Sequence, residues 1–155
     1  MTIRIQAVPT ERGTAMIEFA IALPVLLLLL FATAELGRMI GQYNTLTKAV
    51  RNGVRYAAST ASGGTFGLVN ITPAVRSAVA NLVATGSATG TGTPLLPGLS
   101  AANVTVTDAG GGYVSVSASY TYQPMMGATL PTFGLGNPIS LAVTMNTAAV
   151  MPALL

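Results

Sequence analysis

The sequence predicts an α+β protein with a long amino-terminal helix, a short second helix and a small antiparallel sheet of about three strands. Three observations carry this expectation. The charge-free apolar run from Phe19 to Ala34 passes into apolar residues recurring at three- and four-residue steps as far as Ala61. Thr72-Pro73 has the form of a helix cap and first helical residue, and Gly86 closes the pattern that follows. Beyond Asn103 the pattern changes to alternation of apolar and polar residues, the mark of half-buried strands.

The first half of the long helix fits a bilayer. Phe19 to Ala34 would rise only about 24 Å, short of a hydrocarbon core of about 30 Å, whereas a start at Thr14 gives about 31 Å. That fit puts Glu18 inside the apolar layer, about one helical turn from its edge. An unpaired carboxylate there costs up to a few kcal/mol on insertion scales, about 3 at the centre. It therefore either snorkels to the interface or meets a partner. Pro24 lies within the run, and membrane helices tolerate proline better than soluble ones do. The spanning half is assigned to residues 14–36.

The second half, residues 37–61, turns amphipathic. Leu36, Met39, Ile40, Tyr43, Leu46, Val50, Val54, Ala57 and Ala61 mark an apolar stripe. Arg38, Gln42, Thr45, Lys48, Arg51, Asn52 and Arg55 fill the other face. One rod from Thr14 to Ala61 would be about 70 Å long. Its stripe is expected to pack on the chain's own domain, with contact to other subunits as the second reading. Gly37 and Gly41, four apart, either permit close helix approach or only loosen the helix.

Ser62-Gly63-Gly64 is expected to end the rod, and residues 62–155 form the α+β domain. Val75, Ala78, Val79, Leu82 and Val83 give the second helix its apolar face, and the Gly/Thr/Ser-rich stretch Thr85 to Thr93 reads as a loop. Val104 and Val106 point inward from a first strand, and Asp108 to Gly112 form a turn. Val114, Val116, Ala118, Tyr120 and Tyr122 share one face of a second strand, and Ile139, Leu141, Val143 and Met145 mark a third.

Composition bounds the function. Charged residues make up 7% of the 155 and apolar ones 51%, far from the usual quarter charged for a soluble domain. Only Asp108 carries charge beyond Arg76, and the net charge of +3 is scattered, which argues against a nucleic-acid partner. The chain has neither histidine nor cysteine, so imidazole and thiol chemistry, and most metal sites, fall away. Glu11, Glu18 and Glu35 lie in or beside the apolar segment, and Asp108 stands alone in a turn. No catalytic residue, metal site or cofactor is expected, and the reading is of a protein that is not an enzyme.

Gly13, then Thr14-Ala15-Met16-Ile17, then Glu18-Phe19, resembles the processing site of type IV prepilins. The whole stretch RGTAMIEFAIALPVLLLLLFATAELGR, Arg12 to Arg38, is similar to the TadE-like proteins of tight-adherence (Flp-type) pilus systems. In those proteins RG…EFAL-LP-L is followed by E-GR, and AVRNGVRYAA, Ala49 to Ala58, is similar to their AAREGARYAA-type segment. The resemblance covers roughly residues 10 to 60 and agrees beyond that in layout only.

The resemblance implies a pilin-like fold and a minor pilin or pseudopilin that helps assemble a type IV-like pilus for surface adhesion. It implies that residues 1–13 are a leader, cut after Gly13 by a prepilin peptidase that requires a small residue at the scissile bond. Thr14 then becomes the amino terminus and Glu18 the fifth residue of the mature chain. In the family that carboxylate is implicated in assembly, through pairing with the free amine of a neighbour's first residue and in relation to amino-terminal methylation. Phe19 stands where the major Flp pilins more often have tyrosine, which favours a minor component over the main filament subunit. The implied partners are the peptidase, the membrane assembly platform, the lipid bilayer and other pilins. Pro24, Gly37 and Gly41 would shape the helix packing. Whether the protein enters the filament, caps it or only primes assembly is left open.

The family orientation is a single pass of the bacterial inner membrane, amino end inside and domain periplasmic. Charge gives no support for it. Arg4 and Arg12 precede the span, while Arg38, Lys48, Arg51 and Arg55 follow it, so the positive-inside rule favours the reverse or is silent. The expectation here follows the family. An alternative is a secreted soluble structural or binding protein, because Ala32-Thr33-Ala34 could be read by a signal peptidase. The long stretch before the apolar run, Glu18 near its start and Pro24 within it argue against that.

Overall fold

The computed structural model describes residues 12–61 and 69–153. Helix α1 (Arg12–Thr60) is one continuous rod of 49 residues, and it runs through Pro24. Helix α2 (Pro73–Thr85) follows, and a single 3-10 turn at Ala101–Asn103 leads into the strands. These are β1 (Val104–Gly110), β2 (Tyr113–Thr121), β3 (Thr129–Leu130), β4 (Ile139–Ser140) and β5 (Thr144–Pro152). The class is α+β, with a long helix, a short helix and an antiparallel sheet of three strands in the order β1-β2-β5. Strands β3 and β4 form a separate antiparallel pair.

Helix α2 begins and ends where its cap residues dictate. The hydroxyl of Thr72 accepts from the backbone N–H of Val75 at 3.2 Å, and Pro73 starts the helix at no cost in lost donors. Gly86 adopts φ 78° and donates its N–H to Leu82, the left-handed stop that a residue with a Cβ takes only with strain. The β1–β2 turn makes the same demand. Gly110, Gly111 and Gly112 have φ of 80°, 61° and 82°, and the Asp108 carboxylate accepts from the Gly110 N–H at 2.8 Å.

The register lays the core in rows. Val106, Val116 and Ala149 lie side by side across the three strands, and Tyr120 pairs with Met145. Val106, Val114, Val116, Ala118, Tyr120, Tyr122 and Met145 are buried on one face against the two helices. Thr105, Ser119 and Asn146 face outward on the other side and stay exposed. The helices contribute Leu46, Ala49, Val50, Val54, Ala57, Val79 and Val83 to the same core.

Gly53 lets the helices cross closely. A Cβ built there would stand 2.5 Å from Cγ2 of Val83 and 3.5 Å from Cγ1 of Val79. The glycine of the AVRNGVRYAA segment thus has a packing reason, and sequence periodicity gave it none.

Two expectations are corrected. The apolar stripe of α1 is buried from Leu46 onward, but Leu36, Ile40 and Tyr43 are exposed, and Gln42, expected on the solvent face, is buried. Tyr120 of β2 and Tyr122 just beyond its end cover this stretch of α1, and their hydroxyls require polar partners there. The third strand of the sheet is Thr144–Pro152, so of Ile139, Leu141, Val143 and Met145 only Met145 belongs to it. Ile139 lies in β4 instead. The helix ends at Thr60, and the Ser62-Gly63-Gly64 breaker lies outside the described residues.

Candidate functional site

The amino end of α1 carries the residues expected to matter for processing and assembly. Every residue from Gly13 to Leu23 is exposed. Gly13 and Thr14 lie in the first turn, and a Cβ added at Gly13 would meet nothing within 4 Å. Thr14 and Glu18 are four residues apart, so they share a helix face. Glu18 borders a shallow groove whose other walls are Ile21, Ala22, Val25 and Leu26. Phe19 projects from the next position and is exposed. The structure therefore puts Thr14 and Glu18 on one side of a helix that the domain leaves uncovered.

Of the residues expected to shape helix packing, Gly37 and Gly41 are exposed and Pro24 is partly so. Added Cβ atoms at Gly37 and Gly41 would touch nothing within 4 Å, so neither serves a contact inside the chain. Leu36 and Ile40 flank them and are exposed. The small residues and their apolar neighbours make a surface stripe above the first half of the helix.

A second cluster, at the junction of helix and domain, escaped the sequence reading. Glu35 is 3% exposed. Its Oε1 accepts from the backbone N–H groups of Met125 and Met126, each at 3.0 Å. Its Oε2 accepts from the hydroxyl of Tyr122. Two turns further on, Gln42 is 7% exposed, and its Oε1 lies 3.1 Å from the hydroxyl of Tyr120. The same hydroxyl lies 3.0 Å from the carbonyl oxygen of Pro97. Arg38 stands between these groups, with its Nε buried and without a hydrogen-bond partner.

These contacts fix the domain to the rod. Three donors converge on one carboxylate, and charge-assisted bonds of this kind are about twice as strong as neutral ones. Burial first, and then the hydrogen bond to Glu35 and its charge, push Tyr122 up to about 12. Burial also raises Tyr120. The signal in the sequence was the spacing of Glu35 and Gln42, seven apart and so on one helix face, opposite two inward tyrosines, Tyr120 and Tyr122, at the end of one strand. Nothing in a single sequence said that the two faces meet.

The cluster offers no metal site. Among the described residues no group of three or more His, Cys, Asp or Glu side chains could hold an ion. The helix containing residues 13–60 is long and apolar enough to cross a membrane, and its most apolar window is wholly uncovered by the rest of the chain. That is compatible with a single-pass membrane protein.

No curated protein and no solved structure matches the chain. A family model does, over residues 13–55. The match begins at Gly13, includes Glu18 and Glu35, and ends two residues beyond Gly53, so it coincides with most of α1. By that match the rod of this chain is similar to the family described as TadE-like protein.

Proposed function

We propose that this chain is a membrane-anchored minor pilin or pseudopilin of a tight-adherence, type IV-like pilus, cut after Gly13 by a prepilin peptidase. The observation that carries the reading is the uncovered apolar half of α1 within the TadE-like match. Ile17, Phe19, Ile21, Leu26, Leu29 and Leu30 are all exposed along it. Monomeric soluble proteins rarely present an apolar patch of more than a few hundred Å². Lipid covers such a face before assembly, and helices of other pilins cover it afterwards.

Glu18 is then the single carboxylate within the apolar layer. Pairing with the amine of Thr14 on a neighbouring subunit offsets its desolvation, which a lone carboxylate in hydrocarbon cannot do. Leu36, Gly37, Ile40 and Gly41 continue the uncovered surface above the membrane and offer close approach to another helix. The amino end would lie in the cytoplasm and the domain in the periplasm. The partners are the peptidase, the assembly platform and other pilins, and the role is structural.

Secretion after a cut behind Ala34 fits the geometry less well. It would place a new charged chain end at Glu35, whose side chain is buried and holds three donors. Sequencing the amino terminus of the mature protein separates the readings. Thr14 is expected; Glu35 would favour secretion, and Met1 or Thr2 would end the pilin assignment. Glu18→Gln tests the carboxylate at equal protein abundance. Insertion and cleavage should persist while the yield of sheared fibres collapses, and wild-type assembly would strip Glu18 of this role.

A further inference from the structure

Between Gln123 and Thr144 the chain leaves the main sheet, forms the short β3–β4 pair and returns without one charged residue. Leu130 is buried, but most of the large apolar side chains there point outward: Met125 is 76% exposed and Leu135 63%, with Phe133, Ile139 and Val143 also exposed. We propose that this excursion is a second membrane contact, dipping into the headgroup and upper acyl region of the bilayer beside α1. The proposal rests on the membrane-anchored reading above.

Its position along the helix supplies the argument. The excursion is fastened to α1 at Glu35 through the N–H groups of Met125 and Met126. From there it descends toward the amino end of the rod, because Phe133 stacks on Phe31 with ring centroids 6.4 Å apart. Four residues of helix correspond to about 6 Å of descent. If Thr14 marks one edge of a core about 30 Å thick, the other edge falls near residue 34. Phe31 and the ring of Phe133 then lie about 5 Å below that edge, the depth at which interfacial apolar faces settle.

The tip is built to hold its apolar side chains out. The hydroxyl of Thr132 donates to the carbonyl of Gly136 at 2.6 Å, and the N–H of Leu135 donates to the carbonyl of Thr132 at 2.9 Å. Phe133 takes φ 51°, a left-handed conformation that is costly for a bulky residue. Strain of this kind persists only where surrounding structure imposes it, and it concentrates at functional contacts. Here it holds the ring against α1 while leaving Leu135 free.

The chain has no tryptophan, so single-tryptophan variants of the full chain report depth directly. Leu135→Trp and Met125→Trp would be placed in nanodiscs of phosphatidylcholine and phosphatidylglycerol with brominated acyl chains, one copy per disc. Leu26→Trp marks the span and Ser119→Trp marks water. The expected result is bromolipid quenching at Leu135→Trp at least about half that at Leu26→Trp, with Met125→Trp also quenched above the Ser119→Trp level. Quenching at Leu26→Trp alone, with the other two open to aqueous acrylamide, would overturn the inference and leave the anchor standing. Shielding of both from lipid and from acrylamide would mean a protein cover, such as a second copy, and would overturn it too. No quenching at Leu26→Trp would remove the anchor and this contact together.

Discussion

The two halves of α1 belong to one uninterrupted helix, yet they live in different environments. Residues from Leu46 to Ala57 meet the sheet and α2, and Leu46 and Val50 are completely buried. Residues 13–23 are exposed, and Leu29, two turns further along, still has 55% of its surface free. Between the halves lies the polar latch of Glu35 and Gln42 with Tyr122 and Tyr120. The difference teaches that helix continuity says nothing about solvent. A rod can be core at one end and leave its other end for lipid or other subunits, provided that the boundary is fixed by directional bonds.

The largest break in this comparison comes from removing the latch. Glu35→Ala leaves Tyr122 and two backbone N–H groups without their acceptor. Disrupting a buried charged network by deleting one partner costs about 3–5 kcal/mol. Urea unfolding of the full chain in detergent, followed by tyrosine fluorescence, should show the domain losing that much, with α1 still inserted. A loss below about 1 kcal/mol, the size of one ordinary hydrogen bond, would deny Glu35 its part as a latch.

Gly53→Ala sharpens the comparison inside the buried half. The new Cβ meets Val83 at 2.5 Å, and overpacking of this kind costs about 1–3 kcal/mol. Alanine regains about 1 kcal/mol of helix propensity over glycine, so the net loss sits toward the low end of that range. The paired change Gly53→Ala with Val83→Ala should recover most of it, because the clashing methyl is gone. Failure to recover would place the cost elsewhere.

Alkali probes the latch without mutation. Tyr122 ionises at about 12 in the folded chain, against an ordinary value of 10.0. A raised folded value means that the folded state holds its proton more tightly. The stability so gained is complete below about pH 10 and is lost as pH rises toward about 12. Tyrosinate absorbance should show late titration of Tyr120 and Tyr122, both raised by burial, and Tyr122→Phe should delete the phase near pH 12.

The smallest effect belongs to the uncovered half. Leu29→Ala should change domain stability by no more than about 0.5 kcal/mol, as surface substitutions do. The same truncation at Leu46 should cost about 2–5 kcal/mol. Similar losses at both sites would mean that the first half of α1 is held by the domain after all.

Much of the fold was legible because it depends on local rules. Thr72, Pro73 and Gly86 bound α2 as their backbone preferences require. Alternation placed Val114, Val116, Ala118, Tyr120 and Tyr122 on one buried face, since successive residues of a strand must point to opposite sides. The apolar run, and the carboxylate of Glu18 within it, likewise need no tertiary information to be noticed. The exposed half of α1 was visible for the same reason.

Other features were decided only when distant segments met. Periodicity assigned Gln42 to solvent and Tyr43 to the core, and the structure reverses them, because Tyr120 brings a hydroxyl to that level of the rod. Glu35 reads as a charge at the end of an apolar run, but residues 87 to 91 positions away supply its donors. Ile139 fits a strand by alternation, yet the main sheet takes Thr144–Pro152, whose nine residues pair in unbroken register with β2. Gly53 could be a weak point in a helix until Val83 is seen against it. Local sequence determined where the chain is helical, where it turns and which stretch shuns water. Only the tertiary structure decided which polar groups are buried, because burial of a polar group depends on a partner that one-dimensional spacing does not contain.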